Sequence, residues 1–287
     1  MQELCLIDSC INNKIKSGYF LNKIKNNRMP KIELKNFTCN YLFENFGHQQ
    51  TLVLSNSLGT NYSMWEDNID ELSHHFNILL YDKRGHGQST IHQDKVSIAE
   101  LAEDVIEMVD ELKLQDVYFC GLSIGGLTGQ WLAINRPDRF KKFIICNTAA
   151  KIGTIEGWET RIKQVTLKGL VSILEGTATR WFTNEYRKNN PEKVAQILAD
   201  FQTNSLQGYT ACCHAVAHAD FREDLHRLTK SLLIIAGSKD EVTTVDDAKF
   251  IQKHAGLTHL ITLDAAHLSN MEHPREFSKH IIHFLQH

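Results

Sequence analysis

The chain has 287 residues, with 31 basic and 34 acidic side chains and a formal charge of −3. That length suits one large domain or two ordinary ones, and a composition 42% hydrophobic and 23% charged is globular rather than disordered. The charge leaves no basic footprint for nucleic acid, and no apolar run reaches the roughly 18 residues of a membrane helix, so neither partner is expected.

The first stretch scatters Lys14, Lys16, Lys23, Lys25 and Arg28 among isolated apolar residues. It lacks the continuous apolar region and small-residue cleavage site of a signal peptide. Residues 1–29 are therefore read as a disordered extension, with Met29 as a natural start and a cytoplasmic location. Seven cysteines without a C-x-x-C pair fit free, buried thiols in a reducing compartment better than a disulfide framework.

From Lys31 to Asn45 the pattern alternates like a β-strand, with Ile32, Leu34, Phe37 and Tyr41 among polar residues. Short apolar runs of the buried parallel-strand kind follow at Thr51–Asn56, Asn77–Asp82, Asp116–Cys120, Phe143–Cys146, Leu232–Ala236 and Leu260–Leu263. Helical patterns lie between them. Ile98, Leu101, Val105, Met108 and Leu112 form one apolar stripe, opened by Ser97 with Glu100 as a capping box. Further helices are predicted over Leu127–Asn135, Val245–His254 and Glu276–Leu285. Pro137, Pro191 and Pro274 mark element boundaries. Strands alternating with helices predict a mainly parallel, doubly wound α/β sheet. The rhythm breaks over residues 150–229, which are helical and rich in aromatic and basic side chains. They read as a helical cap inserted into a core of residues 30–149 and 230–287.

Gly121-Leu122-Ser123-Ile124-Gly125 is a G-x-S-x-G directly after a predicted strand and before a predicted helix, the setting of a nucleophile elbow. Ser123 needs a base to become a useful nucleophile. In chain order the acid and then the histidine follow such a serine. Asp240 comes just after Leu232–Ala236, and His267 just after Leu260–Leu263, so both belong at the same sheet edge as Ser123. Glu241 and Asp246 are rivals for the acid; the end of Phe143–Cys146, another place for it, carries Asn147.

His214 and His218 have a zinc-like spacing but no third ligand, so no metal or other cofactor is expected. His273 suits a helix start, and His280, His283 and His287 a solvated helix face. The loop after Thr51–Asn56 should supply one oxyanion donor and the elbow helix the other, which selects the Leu58 and Ile124 amides. Asp82–Ser89 (DKRGHGQS) reads as a structural Gly-rich turn rather than a catalytic loop.

At this point the chain resembles the α/β-hydrolase family and, more narrowly, its enol-lactonases. The narrower resemblance rests on SNSLGTNYSMW (Ser55–Trp65), YDKRGHGQS (Tyr81–Ser89), CGLSIGGLTGQWLA (Cys120–Ala133), CNTAAKIGT (Cys146–Thr154), RWFT (Arg180–Thr183), GYTACC (Gly208–Cys213) and AAHLSNMEHP (Ala265–Pro274). It spans about Pro30 to the C-terminus. Asn56-Ser57 replaces the His-Gly pair of related hydrolases, as the enol-lactonase pattern has it. Ile124 stands where Met is frequent, and Thr243-Thr244 where proline is common.

The resemblance implies an α/β-hydrolase fold and hydrolysis of a small anionic enol-lactone through a serine acyl-enzyme. Such a substrate carries a free carboxylate, for which Arg161 and Arg180 are candidates, walled by Trp158 and Trp181. A solvated cap face is the other reading of each arginine. Another serine esterase, lactonase or haloperoxidase-like hydrolase of the same fold is the alternative activity. A non-catalytic binding protein of that fold is the alternative class.

Overall fold

The computed structural model describes residues 29–287 together with Gly18 and Asn22. The expected extension thus lies almost wholly outside the described residues. The alternating stretch from Lys31 makes two strands rather than one, β1 (Lys31–Leu34) and β2 (Phe37–Glu44). They pair antiparallel, Leu34 opposite Phe37, around a turn at Lys35-Asn36. Six further strands follow: β3 (Thr51–Ser55), β4 (Asn77–Tyr81), β5 (Val117–Leu122), β6 (Phe143–Cys146), β7 (Leu232–Gly237) and β8 (Thr258–Leu263).

The strands form one sheet in the order β1-β2-β4-β3-β5-β6-β7-β8, with β2 antiparallel to β4 and all pairs from β4 to β8 parallel. Every residue of β3 to β7 is buried, because helices cover both faces. At the edge, β8 is partly buried or exposed at every residue until Leu263.

The helices carry the signals that start them. α1 (Glu66–Leu72) follows a 3-10 turn at Tyr62–Trp65. α2 (Ile98–Glu111) opens on Ser97, whose hydroxyl accepts from Glu100 N–H while the Glu100 carboxylate accepts from Ser97 N–H. α3 (Ile124–Asn135) begins at Ile124, three residues before the periodic pattern starts.

Between β6 and β7 the chain runs through α4 (Ile155–Lys168), α5 (Leu174–Trp181), α6 (Asn184–Asn189), α7 (Pro191–Gln202) and α8 (Leu206–His218). Thr154, Thr183 and Ser205 cap α4, α6 and α8 with their hydroxyls, and Pro191 occupies the first turn of α7. α8 crosses the Asp82–Ser89 turn so closely that a Cβ on Gly208 would meet Gly85 O at 2.4 Å. α9 (Val245–His254), the short α10 (Ser269–Glu272) and α11 (Pro274–Gln286) complete the chain. Cys39, Cys120, Cys146, Cys212 and Cys213 are free and buried. No helix among the described residues is long and apolar enough to cross a membrane.

This topology brings one set of loops together. The C-terminal ends of adjacent strands β4, β3, β5, β6 and β7 point the same way. The inserted helices overhang that edge, as expected where ligands bind in doubly wound sheets.

Candidate active site

Ser123 stands between β5 and α3 with φ 60° and ψ −113°. A non-glycine residue there is strained by about 1–3 kcal/mol, so its surroundings must enforce the turn. They do so through glycines that admit backbone contact. A Cβ on Gly121 would meet Gly125 O at 2.1 Å, and one on Gly125 would meet Ser55 O at 2.4 Å. Ser123 N–H donates to Cys146 O at 2.9 Å, and Thr148 Oγ1 donates to Ser123 O at 2.9 Å. Both ends of the strained residue are thereby tied to the β6 strand and the loop after it.

Asp240 and His267 meet at the ends of β7 and β8. His267 Nδ1 lies 2.8 Å from Asp240 Oδ2, both side chains buried. The carboxylate accepts this proton, so the ring is protonated at Nδ1 and Nε2 is left as the acceptor. Asp240 also accepts from Thr243 Oγ1 at 2.8 Å, Asn147 Nδ2 at 3.0 Å, Val242 N–H at 2.8 Å and Thr243 N–H at 3.1 Å. Burial alone would push this carboxyl up. The facing His267 and these donors overcome it and hold the pKa down at about 2.

Asn147, itself at φ 44°, is held by Ser269 Oγ, which donates to its Oδ1 at 2.5 Å. The rivals for the acid lie elsewhere: Asp246 pairs with Lys249 at 3.0 Å on the surface, and Glu241 is exposed.

Ser123, His267, Ser57 and Leu58 line one cavity of about 250 Å³. Trp158, Arg161, Arg180 and Trp181 close it from the inserted helices. Among the described residues Ser123 Oγ forms no hydrogen bond in this structure; such nucleophile–base contacts commonly tighten only when substrate is present. Leu58 N–H has no acceptor among the described residues. Ile124 N–H is the first amide of α3 and lacks the partner that later helix amides have.

The two arginines lie near each other in a half-buried site. Arg161 stacks over the Trp158 ring at 5.2 Å and donates to the Tyr209 hydroxyl at 3.4 Å. Arg180 donates to Thr177 Oγ1 at 3.4 Å. Among the described residues neither has a carboxylate partner, and burial, followed by the charge of Arg161, lowers the pKa of Arg180. Trp181 is buried edge-on against Phe201, with ring centroids 5.7 Å apart.

Tyr209, Thr177 and Val242 also line the cavity without having been singled out from sequence. Tyr209 follows Gly208 in the GYTACC string, the signal that could have found it.

No other histidine among the described residues lines the cavity. His214 and His218 contact each other with ring centroids 4.2 Å apart, and no group of three metal-ligating side chains occurs among the described residues. His273 opens α11, with Nε2 on Asp264 O at 3.0 Å.

The parallel sheet, with its serine at a strand–turn–helix junction, defines the α/β-hydrolase class. The model of the alpha/beta hydrolase fold family matches residues 50–274, and the chain belongs to that family. Among curated relatives, it is 43% identical over 247 residues to 3-oxoadipate enol-lactonase 2 of Acinetobacter baylyi, covering 86% of this chain and 92% of that protein. It is 42% identical over 229 residues to 3-oxoadipate enol-lactonase 1 of the same organism, covering 79% and 85%. Among solved structures, the enol-lactonase from Burkholderia xenovorans LB400 superposes with a TM-score of 0.88 at 35% identity, covering 90% of this chain and 100% of that one.

Proposed function

We propose that this protein hydrolyses 3-oxoadipate enol-lactone to 3-oxoadipate, a step of aromatic-compound catabolism by the β-ketoadipate pathway. The observation that carries the reading is the pairing, in one cavity, of Ser123 and the His267–Asp240 dyad with two arginines that lack a carboxylate. The likeness to named enol-lactonases supports the choice of lactone.

Ser123 Oγ attacks the lactone carbonyl while His267 Nε2 takes its proton, and Asp240 stabilises the resulting imidazolium. The tetrahedral oxyanion accepts from the Leu58 and Ile124 amides, each typically worth about 3 kcal/mol of transition-state stabilisation. The ring C–O bond then breaks. Its oxygen leaves as an enolate, takes a proton from His267 and tautomerises to the ketone, which draws the reaction forward. Water, deprotonated by His267, releases the second carboxylate from Ser123.

Arg161 and Arg180 take the substrate's free carboxylate. Their mutual repulsion falls when an anion sits between them, and a guanidinium suits a carboxylate by bidentate pairing. Trp158 and Trp181 form the apolar walls. This reading gives residues 150–229 the role of a substrate-binding cap over the core of residues 30–149 and 230–287.

A panel of esters tests the class and the substrate separately. A fluorophosphonate should label Ser123, and turnover should favour anionic lactones over carboxylate-free esters. Labelling with a preference for neutral esters would leave a serine hydrolase with a different substrate.

A further inference from the structure

The proposed oxyanion hole depends on the loop Asn56–Gly59, and the contacts that hold this loop come mostly from outside it. Lys83, buried just beyond β4, extends to the neighbouring β3 end. Its ammonium donates to Asn56 O at 2.9 Å and to Ser57 O at 2.9 Å. His86 accepts from Gly59 N–H through Nε2 at 3.0 Å. Its Nδ1 lies 3.1 Å from Arg84 O, a pure acceptor, so the ring is neutral and protonated at Nδ1. Asn204, from the inserted segment, donates to Gly59 O at 2.7 Å. Ser57 O also accepts from Thr60 Oγ1 at 3.0 Å and Thr60 N–H at 3.3 Å.

The covalent connectivity gives these contacts a consequence. Ser57 C=O and Leu58 N–H belong to the same peptide group. Fixing the carbonyl fixes the plane of the amide and hence the direction of the N–H. A hydrogen bond accepted by an amide carbonyl also strengthens the donor on the same amide, by about 10–30%.

We infer that Lys83 is a positioning residue for the oxyanion hole, its ammonium both aiming and polarising the Leu58 N–H through Ser57 O. The inference rests on the proposed reading of Leu58 as an oxyanion donor. The alternative use of Lys83, as neutraliser of Asp82, does not account for the geometry. Asp82 takes its hydrogen bonds from Asn40 Nδ2 at 2.7 Å, Tyr62 N–H at 2.9 Å and Gln88 N–H at 3.1 Å, while the Lys83 ammonium spends two donors on the loop carbonyls. Burial lowers the Lys83 pKa to about 8, which leaves it protonated at neutral pH.

Lys83→Met removes the charge at similar volume, and Lys83→Gln keeps a neutral donor. Competent sites are counted by fluorophosphonate labelling of Ser123. Turnover is then measured on a carboxylate-free aryl ester, with the Ki of phenylboronic acid, whose tetrahedral adduct puts an oxygen where the oxyanion forms. In Lys83→Met we expect kcat per labelled site to fall about 10- to 100-fold, short of the roughly 10²- to 10³-fold cost of deleting a donor outright. KM should stay within about twofold, and Ki should rise by the factor lost from kcat/KM, with Lys83→Gln intermediate.

Unchanged kcat per labelled site and unchanged Ki in folded variants would reduce Lys83 to a structural prop and overturn the inference. If Lys83→Met does not fold, Lys83→Gln decides by the same readouts. A wild type that is neither labelled nor active removes the hydrolase reading and this inference with it; a labelled wild type with unchanged variants removes the inference alone.

Discussion

Asn147 Nδ2 donates to Asp240 Oδ2 at 3.0 Å, so the residue at the end of β6 serves the carboxylate at the end of β7. The two neighbouring strand ends share one function, one supplying the charge and the other a donor that keeps it ionised. Because Asp240 is lowered to about 2 from an ordinary 3.8, its ionisation stabilises the fold fully above about pH 4. That contribution is lost as pH falls through about 2.

Asn147→Gly removes the donor while tolerating the left-handed backbone at this position. Its unfolding free energy at pH 6 should fall by about 1.5–3 kcal/mol, the usual worth of a hydrogen bond to a charged group. Because the Asp240 pKa rises in the variant, the deficit should narrow as pH drops from about 4 towards 2 and close below it, where both proteins carry a neutral carboxyl. Urea melts at pH 6 and pH 3 check this; a deficit independent of pH would mean that the amide acts through its other contacts, with Ala266 O and Ser269 Oγ, and not through the Asp240 charge.

Ser123→Gly should abolish turnover and raise stability. The φ of 60° and ψ of −113° at this serine store about 1–3 kcal/mol, of which glycine returns about 0.4–1 kcal/mol through the greater freedom of its unfolded chain. A net gain near 1 kcal/mol corresponds to a Tm rise of about 2–4 °C. A calorimetric Tm equal to or below that of the wild type would show that the elbow is not strained.

Arg161→Ala and Arg180→Ala should each raise KM for the anionic lactone about 10- to 100-fold, from the loss of charge-assisted hydrogen bonds. Turnover of a carboxylate-free aryl ester should change little. Equal losses on both substrates would assign the arginines to holding the cap in place rather than to binding an anion.

Much of this site was legible in the sequence because its parts are local. The elbow is written in five consecutive residues, and the Ser97–Glu100 capping box in four. The start of α3 was hidden because Gly125 and Gly126 are poor helix formers. They are there because a Cβ would meet Ser55 O at 2.4 Å or the Thr148 side chain at 2.6 Å. The β1–β2 hairpin read as one strand because Lys35-Asn36 is a weak turn signal.

What depends on strand order was not legible at all. Lys83 reaches Asn56 and Ser57 only because β4 lies beside β3, and Asn147 reaches Asp240 only because β6 lies beside β7. From composition alone Asn147 could be noted only as a place where the acid is missing. Tyr209 enters the cavity through the packing of α8, which no short periodic pattern announces.

Catalysis by this site turns on one substrate and on Ser123 as the residue that attacks it. The most direct measurement is the loss of ultraviolet absorbance of 3-oxoadipate enol-lactone, followed with wild type and Ser123→Ala at equal concentrations of folded protein. The wild type should lose absorbance rapidly, and the variant about 10³-fold or more slowly, as when a serine nucleophile is removed elsewhere. A wild type that labels with fluorophosphonate yet leaves the lactone absorbance unchanged, or a Ser123→Ala variant as fast as wild type, would contradict this assignment.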